Sequence, residues 1–527
     1  DALPIYQMNE EWWRKRVIYQ IYPRSFQDTK SSGVGDIKGI IQRLPYLKDL
    51  GIGAIWVSPF FKSPMADHGY DVQDYRQVDP LFGTNEDFSD LLAQAHQLDI
   101  KIIIDLVLNH TSDQHPWFQE ARRSKQDPKH DFYIWHDGPK PPNNWLSLFD
   151  MGSAWHYNPE TDECYLSQFM RAQPEVNWRN PQLKQEMFDV MHFYLQQGVD
   201  GFRLDVANYY LKDPQLRSNP FAFTTPNFMF QDHKFDRNLP ETLEIFREMR
   251  AICAQYPGDR ALVGEIFHTD PQVAARAQGE NDGLHIAYNF DFLFQKFDAI
   301  KLKENAKRYY EILQSISPLN QPNFVLSNHD QSRHATRYFT KNPTDQQKRM
   351  KLLAALLLLL KGTPTMYYGE EIGMLDVRIP ADQRQDPISR AKFPVSLFYR
   401  DPQRTPMQWA GGGGFSEAKP WLPLGDSKVC NVESQLNDQQ SLLNCYRKLI
   451  SLRNEMKSLN LGEIKFLELW EEVICFKRKF GDEVVLVMLN FGKNGVKVAA
   501  KKVLWETGCK EGVLEQYGVL VARVDKW

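Results

Sequence analysis

The sequence predicts an α/β protein built on a (β/α)₈ barrel of the TIM type, with a small domain inserted after the third strand and a C-terminal antiparallel β domain. Three observations predict it. Eight short apolar runs recur between residues 17 and 368. Stretches of helical periodicity lie between them. Beyond about residue 458 the pattern changes to apolar–polar alternation between Gly and Asn turns. A continuous apolar run marks a strand buried on both faces, as in a parallel sheet, whereas alternation marks an antiparallel strand with one face in water.

The runs read VIYQIY (17–22), AIWVS (54–58), KIIIDLVL (101–108), GFRLDV (201–206), ALVGEI (261–266), IAYNF (from Ile286), NFVLS (323–327) and TPTMYY (363–368). Between the third and fourth runs with their loops, Leu183, Met187, Val190, Met191, Tyr194 and Leu195 fall on one face of a helix over 183–197. Eight strands alternating with helices give the barrel. Two intervals are too long for simple connections, and long insertions in a barrel sit on the loops of its active face. The expected division is a barrel over 1–108 and 179–457, an inserted domain over 109–178, a loop subdomain over about 371–431, and a C-terminal β-sandwich over 458–527. The last is read from EIKFLEL, EVICFKRKF, DEVVLVMLNF, GVKVAAKKVLW and GVLVARV.

Several function classes are excluded by composition. A chain of 527 residues exceeds what one core fills, so two or three domains are expected. A net charge of -4 offers no basic surface to nucleic acid. Aromatic residues make up 13%, which beyond the core suits stacking on sugar rings. Cys164, Cys253, Cys430, Cys445, Cys475 and Cys509 form no CxxC pair, so free thiols are expected rather than a zinc site or a disulfide framework. The run LLAALLLLL (352–360) is shorter than the roughly 20 residues a bilayer needs and reads as a buried helix. The opening DALPIYQMNEEWW lacks an apolar signal core. No membrane contact and a cytoplasmic location are expected.

The chemistry concentrates at strand ends. In a barrel the C-terminal ends of the strands face the active side, and here they carry Asp105, Asp205, Glu265 and Asp330. Any one of these is ordinarily a helix cap or an ion-pair partner. Four converging on one point repel and raise one another's pKa, which is costly without a catalytic or metal-binding return. Arg203, His110 and His329 lie beside them.

Read together, DLVLNH, GFRLDVANY, GEI and NHD resemble the four ordered blocks of the α-amylase family of glycoside hydrolases. QPEVNW (173–178), VIYQIYPRSF, HGYDVQDY (68–75), GTPTMYYGEE and RTPMQW (404–409) resemble its oligo-1,6-glucosidase and α-glucosidase branch. The resemblance covers nearly the whole chain and weakens in the C-terminal domain. It implies a retaining α-glucosidase. Asp205 is the implied nucleophile and Glu265 the acid/base, the two carboxyls roughly 5–5.5 Å apart. Asp330 is the implied third carboxylate, stabilising positive charge in the transition state. Arg203 is expected to hold Asp205 ionised, and His110 and His329 to bind sugar hydroxyls. Asp67, Tyr70 and Arg404 are expected to grip the non-reducing glucose and close that end, giving exo action. Gln173 is expected at the substrate, against the alternative of a structural turn.

Linkage preference stays open. Val206, next to the nucleophile, resembles α-1,6-acting members and leans the reading that way. FVLSNHDQSRHATRY looks closer to α-1,4-acting ones. The expected partner is a disaccharide or short oligosaccharide, with no cofactor. Many relatives carry a calcium loop like DSNGDGIGD, and here it reads DTKSSGVGD, Asp28 to Asp36. Lys30 and Ser32 replace oxygen ligands, so no metal is expected, with Lys30 pairing with Asp28 or Asp36 instead. Two rivals remain. One is a transglucosylase, sucrose isomerase or trehalose synthase on the same scaffold. The other is a non-catalytic binding protein resembling transporter heavy chains.

Overall fold

Laid side by side, the eight apolar runs close into a ring. The computed structural model describes residues 11–149, 151–223 and 230–527. Its β1 (Ile18–Ile21), β2 (Ala54–Val57), β3 (Lys101–Leu106), β4 (Gly201–Leu204), β5 (Ala261–Gly264), β6 (Ile286–Tyr288), β7 (Gln321–Val325) and β8 (Thr363–Tyr367) form a closed parallel barrel. Strands follow chain order around it. The ring closes at β1, where Ile18 faces Ala54 of β2 on one side and Thr365 of β8 on the other. Apart from the half-buried Lys101, every strand residue is buried. Both faces are covered, which is why the runs do not alternate.

Local signals fix the connections. The helix Pro181–Gln197 starts on Asn180, whose side chain accepts from the N–H groups of Gln182 and Leu183, with Pro181 at its first position. It stops at Gly198 in the left-handed conformation, φ 99°. The chain then enters β4 on schedule, which aims Arg203 and Asp205.

The insertion between β3 and β4 carries a three-stranded antiparallel sheet, Trp135–Asp137, Glu163–Leu166 and Trp155–Asn158 in that spatial order. Its two ends meet where His110 bridges Glu175 and Tyr133 bridges Val176, so the insertion leaves and returns at one point above β3. After β8 the chain runs through 3-10 turns, such as Pro387–Arg390 and Asp401–Gln403, until Asn431 caps the helix Val432–Leu436.

The C-terminal strands are β9 (Glu463–Leu467), β10 (Val473–Phe480), β11 (Glu483–Asn490), β12 (Val496–Lys497), β13 (Lys502–Lys510) and β14 (Val513–Arg523). They form one hydrogen-bonded antiparallel sheet of six strands. The long β14 pairs with β11, β12 and β13 and holds all three in one ladder. The segment GVKVAAKKVLW, expected as one strand, is split between β12 and β13. The helix Pro343–Leu359 carries the apolar run, and all its residues from Met350 onward are buried. It lies between the helix Leu442–Glu455 and strands β11 and β14. Cover on two sides explains a helix that is apolar all round.

The loop Asp28–Asp36 departs from expectation. Asp28 accepts from the backbone N–H of Lys30 at 2.9 Å and of Gly33 at 2.7 Å. Asp36 accepts from Thr29 and caps the helix Ile37–Leu50 through the Gly39 N–H at 2.7 Å. The ammonium of Lys30 pairs with neither carboxylate; it reaches the carbonyls of Pro80 at 3.3 Å and Leu81 at 3.5 Å. Backbone donors and hydroxyls already satisfy both carboxylates, so the lysine has no partner to gain there. Among the described residues, no three His, Cys, Asp or Glu side chains are grouped as a metal ion requires, and no helix is long and apolar enough to cross a membrane.

Candidate active site

Strand ends deliver the charged groups. Asp105 lies within β3, Asp205 and Glu265 directly follow β4 and β5, and His329 and Asp330 follow β7. The ladder continues past the strands. The Asp205 N–H donates to the Leu106 carbonyl at 3.0 Å, the Glu265 N–H to Leu204 at 2.9 Å, and the Ala207 N–H to the Glu265 carbonyl at 2.9 Å. These carboxylates are therefore set by backbone pairing rather than by mobile loops.

Arg203 ties the floor together. Its Nη1 donates to Asp205 Oδ1 at 2.6 Å and to Asp105 Oδ1 at 2.9 Å, and its Nη2 lies 2.6 Å from Glu265 Oε2. One guanidinium thus touches both implied catalytic carboxyls. The sequence reading assigns Arg203 a single partner, Asp205; the structure gives it three. Val206, at φ 35°, takes the left-handed conformation that a β-branched residue rarely adopts. This turn aims its backbone N–H at Glu265 Oε2, 3.0 Å away. Two donors therefore converge on Oε2, leaving Oε1 to carry a proton.

Charge follows from burial and neighbours. Burial pushes the Glu265 carboxyl up to about 8, opposed by Arg203 and reinforced by Asp205 and Asp330. Burial pushes Asp205 up to about 7, with Arg203 pulling it down and Asp105 pushing it up. Its hold on Arg203 is divided, so it is not lowered as a private ion pair would be. Asp330 goes the other way. Burial alone would raise it, but the guanidinium groups of Arg400 and Arg404 hold it well below the usual carboxylate range. Burial lowers His110 to about 3 and His329 well below its ordinary value, so both rings are neutral near pH 7.

A cavity of about 650 Å³ opens over this floor. Asp205, Glu265, Asp330, His329 and Val206 line it from one side and Asp67, Tyr70, His110 and Gln173 from another. Its inner end is closed by ion pairs: Arg400 Nη2 lies 2.7 Å from Asp67 and 2.8 Å from Asp386, and its Nη1 lies 3.1 Å from Asp330. Gln173 is drawn into the same wall, its amide 3.2 Å from Asp67 Oδ2 and 3.2 Å from the Tyr70 carbonyl. Tyr70 stacks on His329 at 5.3 Å and bonds to it at 2.7 Å. Asp105 lies beneath the floor, holding Arg203, Trp56 and Tyr70.

Two expected contacts fall outside the lining. Arg203 lies under the carboxylates. Arg404 is fully buried behind Asp330, bonded to it at 2.8 Å and to the His329 carbonyl at 2.8 Å. The arginine that reaches the cavity is Arg400, which sequence reading missed. The 3-10 turn Asp401–Gln403 brings both guanidinium groups onto the same oxygen of Asp330. The only signal was the spacing of two arginines four apart in RDPQR. Asp386, which anchors Arg400, was missed as well. The sequon Asn109–His110–Thr111 is no acceptor for a glycan, because Asn109 is 1% exposed and bonded to Lys212.

Comparison with known proteins agrees with this geometry. The family model described as "Alpha amylase, catalytic domain" matches residues 20–462. A probable α-glucosidase of Rhizobium meliloti is 42% identical, over 92% of this chain and 90% of its own. Among solved structures, the α-glucosyl transfer enzyme XgtA superposes with a TM-score of 0.90 at 38% identity, covering 97% of this chain and 99% of that one. An isomaltulose synthase from Erwinia rhapontici NX5, solved with its natural substrate sucrose, gives 0.89 at 30% identity over 100% of both chains. The chain is an enzyme of the α-amylase family of glycoside hydrolases, in its oligo-1,6-glucosidase and α-glucosidase branch.

Proposed function

We propose that the protein takes the non-reducing terminal glucose of a short α-glucoside through a covalent glucosyl ester on Asp205, with retention of configuration. The observation that carries this is Arg203, bonded to both Asp205 and Glu265 at the floor of a cavity sealed at its inner end. Glu265, the group with the higher pKa, holds the last proton on Oε1 and gives it to the leaving oxygen. Asp205 attacks the anomeric carbon. Glu265, now a carboxylate, takes a proton from the incoming hydroxyl and restores the enzyme. Asp330, kept ionised by Arg400 and Arg404, faces the positive charge that develops in the transition state. Asp67, Tyr70 and Arg400 hold the far side of the glucose, and the closed end makes the action exo. Val206 leans the linkage preference toward α-1,6. The cytoplasm suits six cysteines that are all unpaired.

Water and a sugar hydroxyl compete for the glucosyl ester. Hydrolysis gives an α-glucosidase. Transfer, as in a transglucosylase or sucrose isomerase, is the second reading, and the similarity to an α-glucosyl transfer enzyme and to an isomaltulose synthase supports it. Incubation with maltose, isomaltose, sucrose and trehalose, followed by chromatography, separates the two. Glucose alone marks hydrolysis; new di- or trisaccharides mark transfer. If no sugar in the panel is turned over, or if Asp205→Asn turns them over at the wild-type rate, the assignment is wrong.

A further inference from the structure

Gln20 breaks the apolar run of β1, and its side chain is fully buried. A buried amide needs hydrogen-bond partners, and the partners of this one lead to the active site. Gln20 Nε2 donates to Ser58 Oγ at 3.2 Å and lies 2.8 Å from His329 Nδ1. At the other nitrogen of the ring, His329 Nε2 lies 2.7 Å from Tyr70 Oη and 3.3 Å from Asp330 Oδ2. Tyr70 Oη in turn donates to Asp105 Oδ2 at 3.1 Å, on the carboxylate that Arg203 also holds. A chain of hydrogen bonds therefore runs from β1 to the guanidinium beneath Asp205 and Glu265.

Donor and acceptor roles fix where the ring carries its proton. An amide nitrogen only donates and an ionised carboxylate only accepts. Nδ1, facing the Gln20 nitrogen, must accept, so the proton sits on Nε2 and is aimed at Tyr70 and Asp330. Turning the amide over reverses each step. It would bury two unpaired N–H donors in place of the one unpaired Oε1. It would also set the bare Nε2 lone pair 3.3 Å from the Asp330 carboxylate. Both changes are unfavourable. The same contact opposes the imidazolium, which needs a hydrogen on Nδ1 as well. Burial keeps the ring neutral and Asp330 draws a proton toward it, with Arg404, Arg203 and Arg400 opposing that pull. Tyr70, Tyr22 and Trp56 enclose the ring.

We infer, resting on the glucosyl-ester reading above, that Gln20 is a positioning residue that holds His329 as the neutral Nε2–H tautomer. The ring then presents a donor on the cavity side, and Asp330 keeps its full charge for the transition state. A proton on Nδ1 alone would turn the Tyr70 hydroxyl from Asp105 to the ring and loosen the support of Arg203. Protons on both nitrogens would set a cation against Asp330 and cancel its charge.

Two variants test this. Gln20→Glu keeps the shape but draws a proton to Nδ1; Gln20→Met keeps the length and offers the ring nothing. Histidine-selective 15N labelling reads the tautomer, with His329→Asn assigning the signal. The proton is expected on Nε2 in the wild type and on Nδ1 in Gln20→Glu. On the fastest of maltose, isomaltose, sucrose and trehalose, kcat is expected to fall about 10–100-fold in Gln20→Glu and less in Gln20→Met, with KM moving by less than about threefold. A packing role alone would make Gln20→Met, which loses both hydrogen bonds, the worse of the two. A wild-type ring protonated on Nδ1, alone or with Nε2, overturns the inference, and so does a Gln20→Glu variant whose tautomer or kcat matches the wild type. Should both variants fail to fold, the wild-type spectrum still decides. A wild type that turns over none of the four sugars fails at the glucosyl ester instead, and removes the role given to Gln20 whatever its tautomer.

Discussion

The two ends of the cavity are made of opposite materials. At the inner end each carboxylate sits within ion-pair distance of a guanidinium: Asp105, Asp205 and Glu265 around Arg203, and Asp67, Asp330 and Asp386 around Arg400, with Arg404 supporting Asp330. At the outer end Phe230 and Phe398 line the opening and are 57% and 72% exposed. The inner groups sit on strand ends whose backbone ladder fixes them; the outer ones sit on loops. Buried charge must be paired or it is ruinous, so the inner end tolerates little change. An exposed apolar loop tolerates much. The contrast teaches where each half of the chemistry is decided. On the proposed reaction, the glucosyl-forming half falls to the floor, while the mouth meets whatever leaves or enters.

The largest effects should therefore come from the floor. Asp205→Asn removes the nucleophile and is expected to lower kcat/KM on 4-nitrophenyl α-glucoside by about 10⁴-fold or more. Glu265→Gln keeps the hydrogen bonds at Oε2 but loses the transferable proton, and about 10²–10⁴-fold is expected on maltose. The loss should be much smaller for fluoride release from α-glucosyl fluoride, whose leaving group needs little protonation. Equal losses on both donors would show that Glu265 is not the acid.

Arg400 and Arg404 sharpen the comparison within the inner end. Both reach Asp330, but only Arg400 lines the cavity. Arg400→Met should raise KM for isomaltose or maltose by about 10–100-fold, since it removes a contact of the bound sugar. It should also cost about 3–5 kcal/mol in chemical unfolding, because Asp67 and Asp386 are left buried and unpaired. Arg404→Met should destabilise the protein with a smaller rise in KM. A larger KM effect at Arg404 would restore the assignment read from RTPMQW.

These two arginines also show how far the sequence can be read. The eight strands were legible because a strand covered on both faces writes itself as an apolar run, and the carboxylates because they follow those runs at once. Val206 was legible as a neighbour of Asp205 but not as the donor to Glu265, since a left-handed turn at a β-branched residue leaves no compositional mark. Arg400 and Asp386 lie in a segment of 3-10 turns without periodicity, and only tertiary folding brings them to Asp67. The split of GVKVAAKKVLW was hidden for a related reason. Alternation shows that a strand exists but not where it breaks: both pieces pair with β14, and β13 shifts register on it between Val503 and Trp505 and again between Thr507 and Cys509.

The smallest effect expected is also the most diagnostic of the floor. With Asp205 pushed up to about 7 and Glu265 up to about 8, kcat/KM should fall on the acid side as Asp205 takes a proton and on the alkaline side as Glu265 loses one. Glu265→Gln should abolish the alkaline limb. The same shift couples to stability. A carboxyl whose folded pKa lies above its ordinary 4.5 favours folding while it is protonated. That contribution is complete below pH 4.5 and is lost as pH rises through about 8. Glutamine never ionises and so never carries a buried charge. The Tm of Glu265→Gln minus that of the wild type should therefore grow between pH 5 and pH 9, by about 1 °C or more. If that difference is flat with pH, burial does not raise Glu265, and the proton it gives to the leaving oxygen must be held there by some other group.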